Sequence, residues 1–372
     1  MIQKGWRARW IAWRNSWLSN PAFQRWAADF PLTRGVARRR SAALFDLVSG
    51  FVYSQTLAAA LRVGLLDRLA EGAGSIDSLA SAIDLSPDAA ERLLGACAAL
   101  GLSERAGDGQ WALGAQGAAL RGASGLSDMI RHQALLYSDL SRPEALLRSE
   151  GPGAALAGYW PYASGLSGGA EGPAAVAPYS RLMAATQPAV AADILDAYDI
   201  GRHKRLLDVG GGDGAFLAAA AIRAPALRLD LLDLPGVTDL ARRRFGESGL
   251  LDRIEIHTGD FLTGSLPRGA DLITLIRILH DHDDAGVDRL LREAREALAP
   301  GGALLIAEPM SEAPRRDRVS DVYFAFYLLA MGRGRARTPA DLIARLKAAG
   351  FSHARRIRTR SPHLLRAIVA HP

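Results

Sequence analysis

Only one cysteine, Cys97, occurs in the 372 residues, which excludes a disulfide framework, a thiolate zinc cluster and a CxxC redox pair. No unbroken apolar run reaches the ~18 to 20 residues that a membrane-crossing helix needs, and no apolar segment with a small-residue cleavage site opens the chain. An integral membrane protein and an exported one are therefore both unexpected, and a reduced, cytoplasmic setting is expected. Acidic residues are scarce at one end. Residues 1–40 hold Lys4, Arg7, Arg9, Arg14, Arg25, Arg34, Arg38, Arg39 and Arg40 against Asp29 alone, a net +8, so the remainder carries −2 of the overall +6. The basic character belongs to an arm and the body is near neutral. With 49% hydrophobic and 23% charged residues the chain is globular rather than disordered, and its length suits two domains of ~150 residues each.

What that basic end has in excess is tryptophan. Trp6, Trp10, Trp13, Trp17 and Trp26 are five of the seven in the chain, and the first four step by 4, 3 and 4, on one helical face. Arg7, Arg9 and Arg14 fall on its flanks or behind it, and Pro21 after the capping residue Asn20 is expected to end the segment. An indole stripe edged by guanidiniums has the composition of an interfacial membrane binder. The same spacing suits a helix packing its stripe on its own domain or on a partner subunit. Nucleic acid is a weaker third partner, because no basic surface continues downstream.

From Ser41 to Leu120 the pattern is helical, through Leu44, Phe45, Val48, Phe51 and Val52 and then Leu57, Leu61, Leu65, Leu66 and Leu69. Ser75 can cap the next helix, Ser86-Pro87-Asp88 opens another with Pro at its first position, and strands around 102–105 and 110–113 flank Gly107-Asp108-Gly109 as a hairpin. Three helices and a hairpin predict a winged helix over 41–120. Reading DNA would require basic side chains on the helix at 87–101, which offers Arg92 against Asp88 and Glu91, so the module is read as a dimerisation domain. Residues 121–200 are read as a linker with substrate-wall helices. The Gly/Ala/Pro-rich stretch 151–178, with Tyr159, Trp160 and Tyr162, suits a lid or a plain linker, and a helix is expected over 179–198. Over 201–372 the strand candidates 205–209, 227–234, 253–258, 272–279, 303–308, 354–359 and 364–370 alternate mostly with helices. That order predicts an α/β Rossmann-like fold, a mostly parallel seven-stranded sheet with an antiparallel edge, and ligands at the carboxyl ends of its strands.

The first of those strands runs into Asp208-Val209-Gly210-Gly211-Gly212-Asp213-Gly214, glycines that let the backbone turn sharply and approach a bound molecule. Gly210, Gly212 and Ala215, with Asp233 further on, also satisfy the dinucleotide fingerprint. Carboxylates on both sides of the glycines, Asp208 and Asp213, would repel a pyrophosphate and attract an ammonium. S-adenosylmethionine carries an ammonium, a sulfonium and no phosphate, so the acidic turn favours it over a nicotinamide dinucleotide. Asp233 can accept from ribose hydroxyls, Asp260 from an adenine amine, and Phe261 can cover the ring. Taken singly, each Asp also suits an ordinary cap or turn.

Leu206–Gly214, Asp233-Leu234-Pro235, Gly259-Asp260-Phe261 and Leu279-His280-Asp281 together resemble the class I S-adenosylmethionine-dependent O-methyltransferases of the plant-type caffeate/acetylserotonin/hydroxycarotenoid group, over about residues 41–371. Within it, Phe23–Trp26, Phe30–Arg34 and Phe51–Gln55 look most like the bacterial demethylspheroidene O-methyltransferases, which methylate the tertiary 1-hydroxyl of acyclic carotenoids. The resemblance implies a homodimer and S-adenosylmethionine held by Asp208, Gly210, Gly212, Asp233, Leu234, Asp260, Phe261 and Arg277. It makes His280 the general base, flanked by Glu308, with Asp281 orienting the imidazole or capping the next helix, and it places Tyr179 and Met183 at the acceptor. A second family Glu, due just before Arg337-Thr338, is absent: Ala336 stands there. Tyr323, Phe324 and Tyr327 are candidates for an apolar acceptor wall, although ordinary core would read the same. His280 and His282 near acids raise the question of a metal, but no third ligand stands at a defined spacing, so none is expected. The competing functions are methylation of a phenolic or polyketide oxygen, C-methylation of a bacteriochlorophyll precursor, and a winged-helix regulator that senses S-adenosylmethionine.

Overall fold

Pro21 opens a helix instead of closing one. The tryptophan helix Gln3–Leu18 gives way to a second, Pro21–Asp29, and the N–H groups of Ala22 and Phe23 donate to Asn20 Oδ1 at 2.8 and 3.2 Å. Proline fits there because a first-turn N–H needs no intrahelical acceptor. The expected end of the segment is thus a corner. The computed structural model describes residues 3–123, 125–149, 153–159, 173–311, 319–362 and 364–372, in two units, Met1–Ala119 and Leu120–Pro372.

In the first unit the stripe tryptophans Trp6, Trp10, Trp13 and Trp17 are 49% to 63% exposed, so the stripe does not pack on its own domain. The next helix, Arg34–Arg62, begins ahead of Ser41. Its apolar residues Leu44, Phe45, Val48, Phe51 and Val52 are also exposed, and only its last turns, at Ala58, Ala60 and Leu61, enter the core. By length and composition alone, with a mean hydropathy of 1.3 over its best window, this helix could cross a membrane; a search for unbroken apolar runs misses it because Asp46, Ser49 and Gln55 interrupt the stretch. Helices Leu65–Glu71, Ile76–Ala82 and Pro87–Ala99 follow, the last two capped by Ser75 and Ser86 as expected. Strands β1 (Gly74–Ser75), β2 (Ser103–Gly107) and β3 (Gln110–Leu113) pair in the order β1-β3-β2 and complete the winged helix. Cys97 is fully buried among these helices, and burial pushes its thiol up to about 11.

The second unit is built on seven strands: β4 (Arg205–Val209), β5 (Arg228–Asp233), β6 (Ile254–Thr258), β7 (Ala270–Ile276), β8 (Leu298–Glu308), β9 (His353–Ile357) and β10 (Arg366–His371). Their order is β6-β5-β4-β7-β8-β10-β9, with β4 to β8 parallel and β9 and β10 the antiparallel edge. Near-continuous apolar strands such as Leu272–Ile276 are what a sheet covered on both faces requires. Phe216, Leu217, Phe245, Leu290 and Leu291 are fully buried in its two covering layers. The fourth strand of the catalytic sheet stops three residues short of its expected end. Arg277 still donates its N–H to Ala307 O at 2.8 Å but takes φ +60, which turns the chain out of the sheet. His280 therefore sits on a 3-10 turn, Leu279–Asp281, beyond the end of the strand. Of the expected linker, helices Leu126–Asp139, Ala155–Tyr159 and Pro173–Ala197 are seen. Trp160, Tyr162 and the side chains of Tyr159 and Tyr179 lie outside the described residues.

Candidate active site

The glycine turn after β4 is shaped by what surrounds it. Gly210 has φ +69, and a Cβ there would come within 2.4 Å of Ile278 Cδ1, with Phe261 also in contact. The positive φ strains any other residue there, and the turn packs against Ile278 in the chain that leads to His280. Beneath it Asp208 is buried and accepts from Thr274 Oγ1 at 2.6 Å. Burial pushes its carboxyl up to about 7, against the Thr274 bond and helped by the charge of Asp233. Asp233, at the end of β5, accepts from the N–H groups of Gly212 and Leu234, both at 2.8 Å, yet burial still pushes it up to about 6. Asp213 contributes less than expected. Arg244 donates to its carboxylate through Nη2 and Nε, so its charge is matched within the protein. Asp208 and Asp233, in contrast, have no cationic side chain as partner among the described residues. Two buried carboxylates held near neutrality fit a ligand that brings its own cation, as S-adenosylmethionine does, and do not fit a pyrophosphate. Asp260 accepts from Leu262 N at 2.8 Å and fixes the turn after β6, while Phe261 meets His282 edge to face at 5.5 Å.

His280 is buried with a carboxylate on each side. Glu308, ending β8, accepts through Oε2 from the His280 backbone N–H at 2.7 Å and lies 3.0 Å from Nδ1. With Nδ1 turned to Glu308, the other ring nitrogen, Nε2, is the one turned toward Asp281. Asp281 Oδ1 stands 3.2 Å from Nε2. Burial opposes a charged imidazole, but Asp281 and Glu308 outweigh it and, with Arg277 opposing, the His280 pKa lies above its ordinary value. Burial also raises the Asp281 carboxyl, His280 and Arg277 opposing. Of the two expected roles of Asp281, the structure shows contact with the imidazole; the cap of the following helix is Asp283, which accepts from Gly286 N at 2.8 Å. His282 is a different group, pushed down to about 4 by burial and by the charges of His280 and Arg333.

Around the base the walls are apolar. Phe324 meets the His280 ring edge to face at 6.2 Å, next to Tyr323 and Tyr327, which stack at 5.4 Å. A π-helical turn, Val319–Tyr323, feeds the helix Phe324–Met331. Gln133 donates to Tyr323 Oη at 2.7 Å, and His132 Nε2 lies 3.1 Å from Tyr327 Oη. Ala336, where a family Glu was due, packs against this same cluster. Arg277 does not rest on the glycine turn: its guanidinium donates to Thr186 Oγ1 at 2.9 Å and to Met183 Sδ, bringing Met183 and the helix Pro173–Ala197 to the site.

Several residues that hold the site went unread in the sequence. Arg337 is buried and donates to Leu279 O at 2.6 Å, His282 O at 2.8 Å and Asp284 Oδ1 at 2.7 Å, clamping the turn that carries His280. Gly334, φ +80, passes so close that a Cβ would lie 2.0 Å from His280 O. Thr274, Gln133 and His132 are likewise unannounced. The one local signal was Arg335-Ala336-Arg337 directly before the Thr338 cap. Elsewhere, Asp230, Glu255 and His257 lie close enough together for a metal, but Arg205 donates to both acids and already supplies the positive charge.

Comparison with known proteins agrees with this arrangement. Residues 150–352 match the O-methyltransferase domain and residues 45–120 the O-methyltransferase dimerisation domain. The chain is 43% identical to demethylspheroidene O-methyltransferase of Cereibacter sphaeroides, over 94% of this chain and 91% of that one. It is 32% identical to acetylserotonin O-methyltransferase of Mus musculus, over 86% of each. Among solved structures, the pyocyanin biosynthetic protein PhzM superposes with a TM-score of 0.75 at 26% identity, covering 89% of this chain and 98% of that one. The S-adenosylmethionine-dependent methyltransferase SibL, in its apo form, gives 0.73 at 28%, covering 89% and 99%. The exposed stripe from Phe45 to Val52 falls inside the dimerisation domain, which supports a homodimer. Matched in both domains and nearly from end to end, the chain belongs to the O-methyltransferase family and is an S-adenosylmethionine-dependent enzyme of it.

Proposed function

We propose that this enzyme methylates the tertiary 1-hydroxyl of an acyclic hydroxycarotenoid. The observation that carries the reading is a buried imidazole, oriented by Glu308, in an aromatic wall that has Ala336 in place of a second acid. The 43% identity to a demethylspheroidene O-methyltransferase, against 32% to an acetylserotonin enzyme, supports it. Asp208, Gly210, Gly212, Asp233, Leu234, Asp260 and Phe261 hold the donor, with Arg277 bracing the wall helix beside it, and Met183, Tyr323, Phe324 and Tyr327 line the acceptor's path. The donor supplies an electrophilic methyl on a sulfonium.

A tertiary alcohol is too weak an acid to ionise first, so its proton must leave as the new bond forms. Asp281 yields Nε2 of His280 to the acceptor hydroxyl. Nε2 takes the hydroxyl proton as the acceptor oxygen takes the methyl that the bound donor would supply, and Glu308 stabilises the resulting imidazolium through Nδ1. Orientation of the reactants by these walls contributes up to ~7 to 11 kcal/mol. Because the acceptor is a water-insoluble polyene, the same reading gives the enzyme a peripheral position on a membrane. The test is a panel of acyclic hydroxycarotenoids, phenols and tetrapyrrole precursors offered with labelled S-adenosylmethionine. Label on the carotenoid hydroxyl is expected; label on a phenol alone, or on a tetrapyrrole carbon, overturns the assignment. A DNA mobility shift with no methyl transfer to any of them would point to a regulator.

A further inference from the structure

We infer that residues 3–30 form a docking face for an anionic lipid surface, built as an aromatic corner edged by arginine. The inference rests on the peripheral position just proposed and gives it residues and a headgroup charge. Along helix Gln3–Leu18, at about 100° per residue, Arg9 borders the tryptophan stripe on one side and Arg7 and Arg14 on the other. The half-buried side chains of this helix are Ile11, Arg14 and Leu18, so it leans on its neighbours with one edge and turns the indoles outward. The corner at Asn20 then continues the aromatic surface. Trp13 and Trp17 lie 6.4 Å apart, Trp17 and Phe23 5.6 Å, Phe23 and Trp26 5.6 Å, and Trp26 and Phe30 5.1 Å. Trp6, Trp10, Trp13, Trp17, Trp26 and Phe30 are all exposed, between 38% and 63%.

A bilayer fits this face better than a protein does. Indoles have an apolar body and an N–H that needs a wet partner, and so favour the headgroup depth of a membrane. Guanidiniums border the stripe on both sides, and residues 3–30 hold Lys4, Arg7, Arg9, Arg14 and Arg25 against Asp29, with Arg34, Arg38, Arg39 and Arg40 following at once, while residues 41–372 carry −2, so the attraction is concentrated at this end of the chain.

The test uses the full chain and carotenoid-free vesicles, of phosphatidylcholine alone or mixed with phosphatidylglycerol, read by co-sedimentation and indole emission. Binding to the mixed vesicles with a blue shift in emission is expected, with weaker binding to phosphatidylcholine and loss in high salt. Trp6→Ala, Trp10→Ala, Trp13→Ala and Trp17→Ala together should lower binding by about tenfold or more. Arg7→Gln, Arg9→Gln and Arg14→Gln together lower the net charge of residues 1–40 from +8 to +5 and should weaken the preference for the anionic vesicles. All of these side chains but the half-buried Arg14 are exposed, and circular dichroism of each variant confirms that it folds. Wild type left in the supernatant, or the four-alanine variant bound as tightly as wild type, overturns the inference. So does a wild-type particle that, without vesicles, is larger than the variant and already blue-shifted, which would show that protein covers the stripe. With no carotenoid in the vesicles and binding as the readout, failure here leaves the acceptor assignment standing, and an inactive carotenoid panel leaves the vesicle result standing.

Discussion

Two pairs of buried carboxylates stand at the carboxyl ends of the same set of strands, and they differ in what neutralises them. Asp208 and Asp233 receive a hydroxyl and two backbone N–H groups, and among the described residues no cationic side chain pairs with either. Asp281 and Glu308 hold an imidazole between them. Burying an anion without a cation is costly, and a protein tolerates it where a ligand brings the missing charge. Burying acids around a histidine raises that histidine's affinity for protons and makes a base. Under the proposed function, the first pair is the donor's seat and the second the proton's destination.

Each variant below separates the two pairs or shows that they cannot be separated. The largest effect is expected from His280→Ala, which should lower kcat by about 10²- to 10⁴-fold and leave donor affinity by calorimetry unchanged. Equal loss of both would mean that the two sites are one. Asp208→Asn keeps an acceptor for Thr274 but removes the charge; donor affinity should fall on the order of tenfold to a hundredfold, the range for hydrogen bonds to charged groups, with the protein at pH 8 no less thermally stable than wild type. A lowered melting temperature would show that the carboxylate serves the fold. The pH dependence has a definite sign. Carboxyls at about 7 and 6 in the free protein must give up protons to accept a cation, so donor affinity should rise with pH from 5 to about 7 and level off above. Isothermal titration in buffers of differing ionisation enthalpy should detect the released protons. For the other pair, Glu308→Gln removes an anion that favours imidazolium, so the acid limb of kcat should move to lower pH as kcat falls. Arg337→Met should have the smallest effect, destabilising the protein by about 1–3 kcal/mol as the Leu279 and His282 carbonyls lose their donor, with a modest loss in kcat and little change in donor affinity.

The parts of the site legible in the sequence are those whose cause is local. A glycine run after an apolar strand writes a tight turn, and an Asp closes β5 as expected, whereas Asp260 lies past the end of β6 and holds the turn there. What could not be read is carried by distant partners. Thr274 reaches Asp208 across 66 positions, Arg337 reaches Leu279 across 58, and Gln133 reaches Tyr323 across 190. No local pattern announces such pairs. The early end of β7 depends on a positive φ at Arg277, a conformation arginine has no propensity to advertise. Spacing put the tryptophans on one face and the apolar residues 44–52 on another, but spacing is silent on whether a face meets the core or the outside, and here both meet the outside.

The lone cysteine has a practical use. Cys97 is sealed among the winged-helix helices, and its thiol ionises only near 11, so alkylating and spin-labelling reagents, which attack the thiolate, will pass it by at neutral pH. The native chain is in effect a blank background. A single cysteine placed at Trp17 or Phe30 would take a nitroxide or a fluorophore alone, and the depth of that probe in a bilayer could then be measured directly.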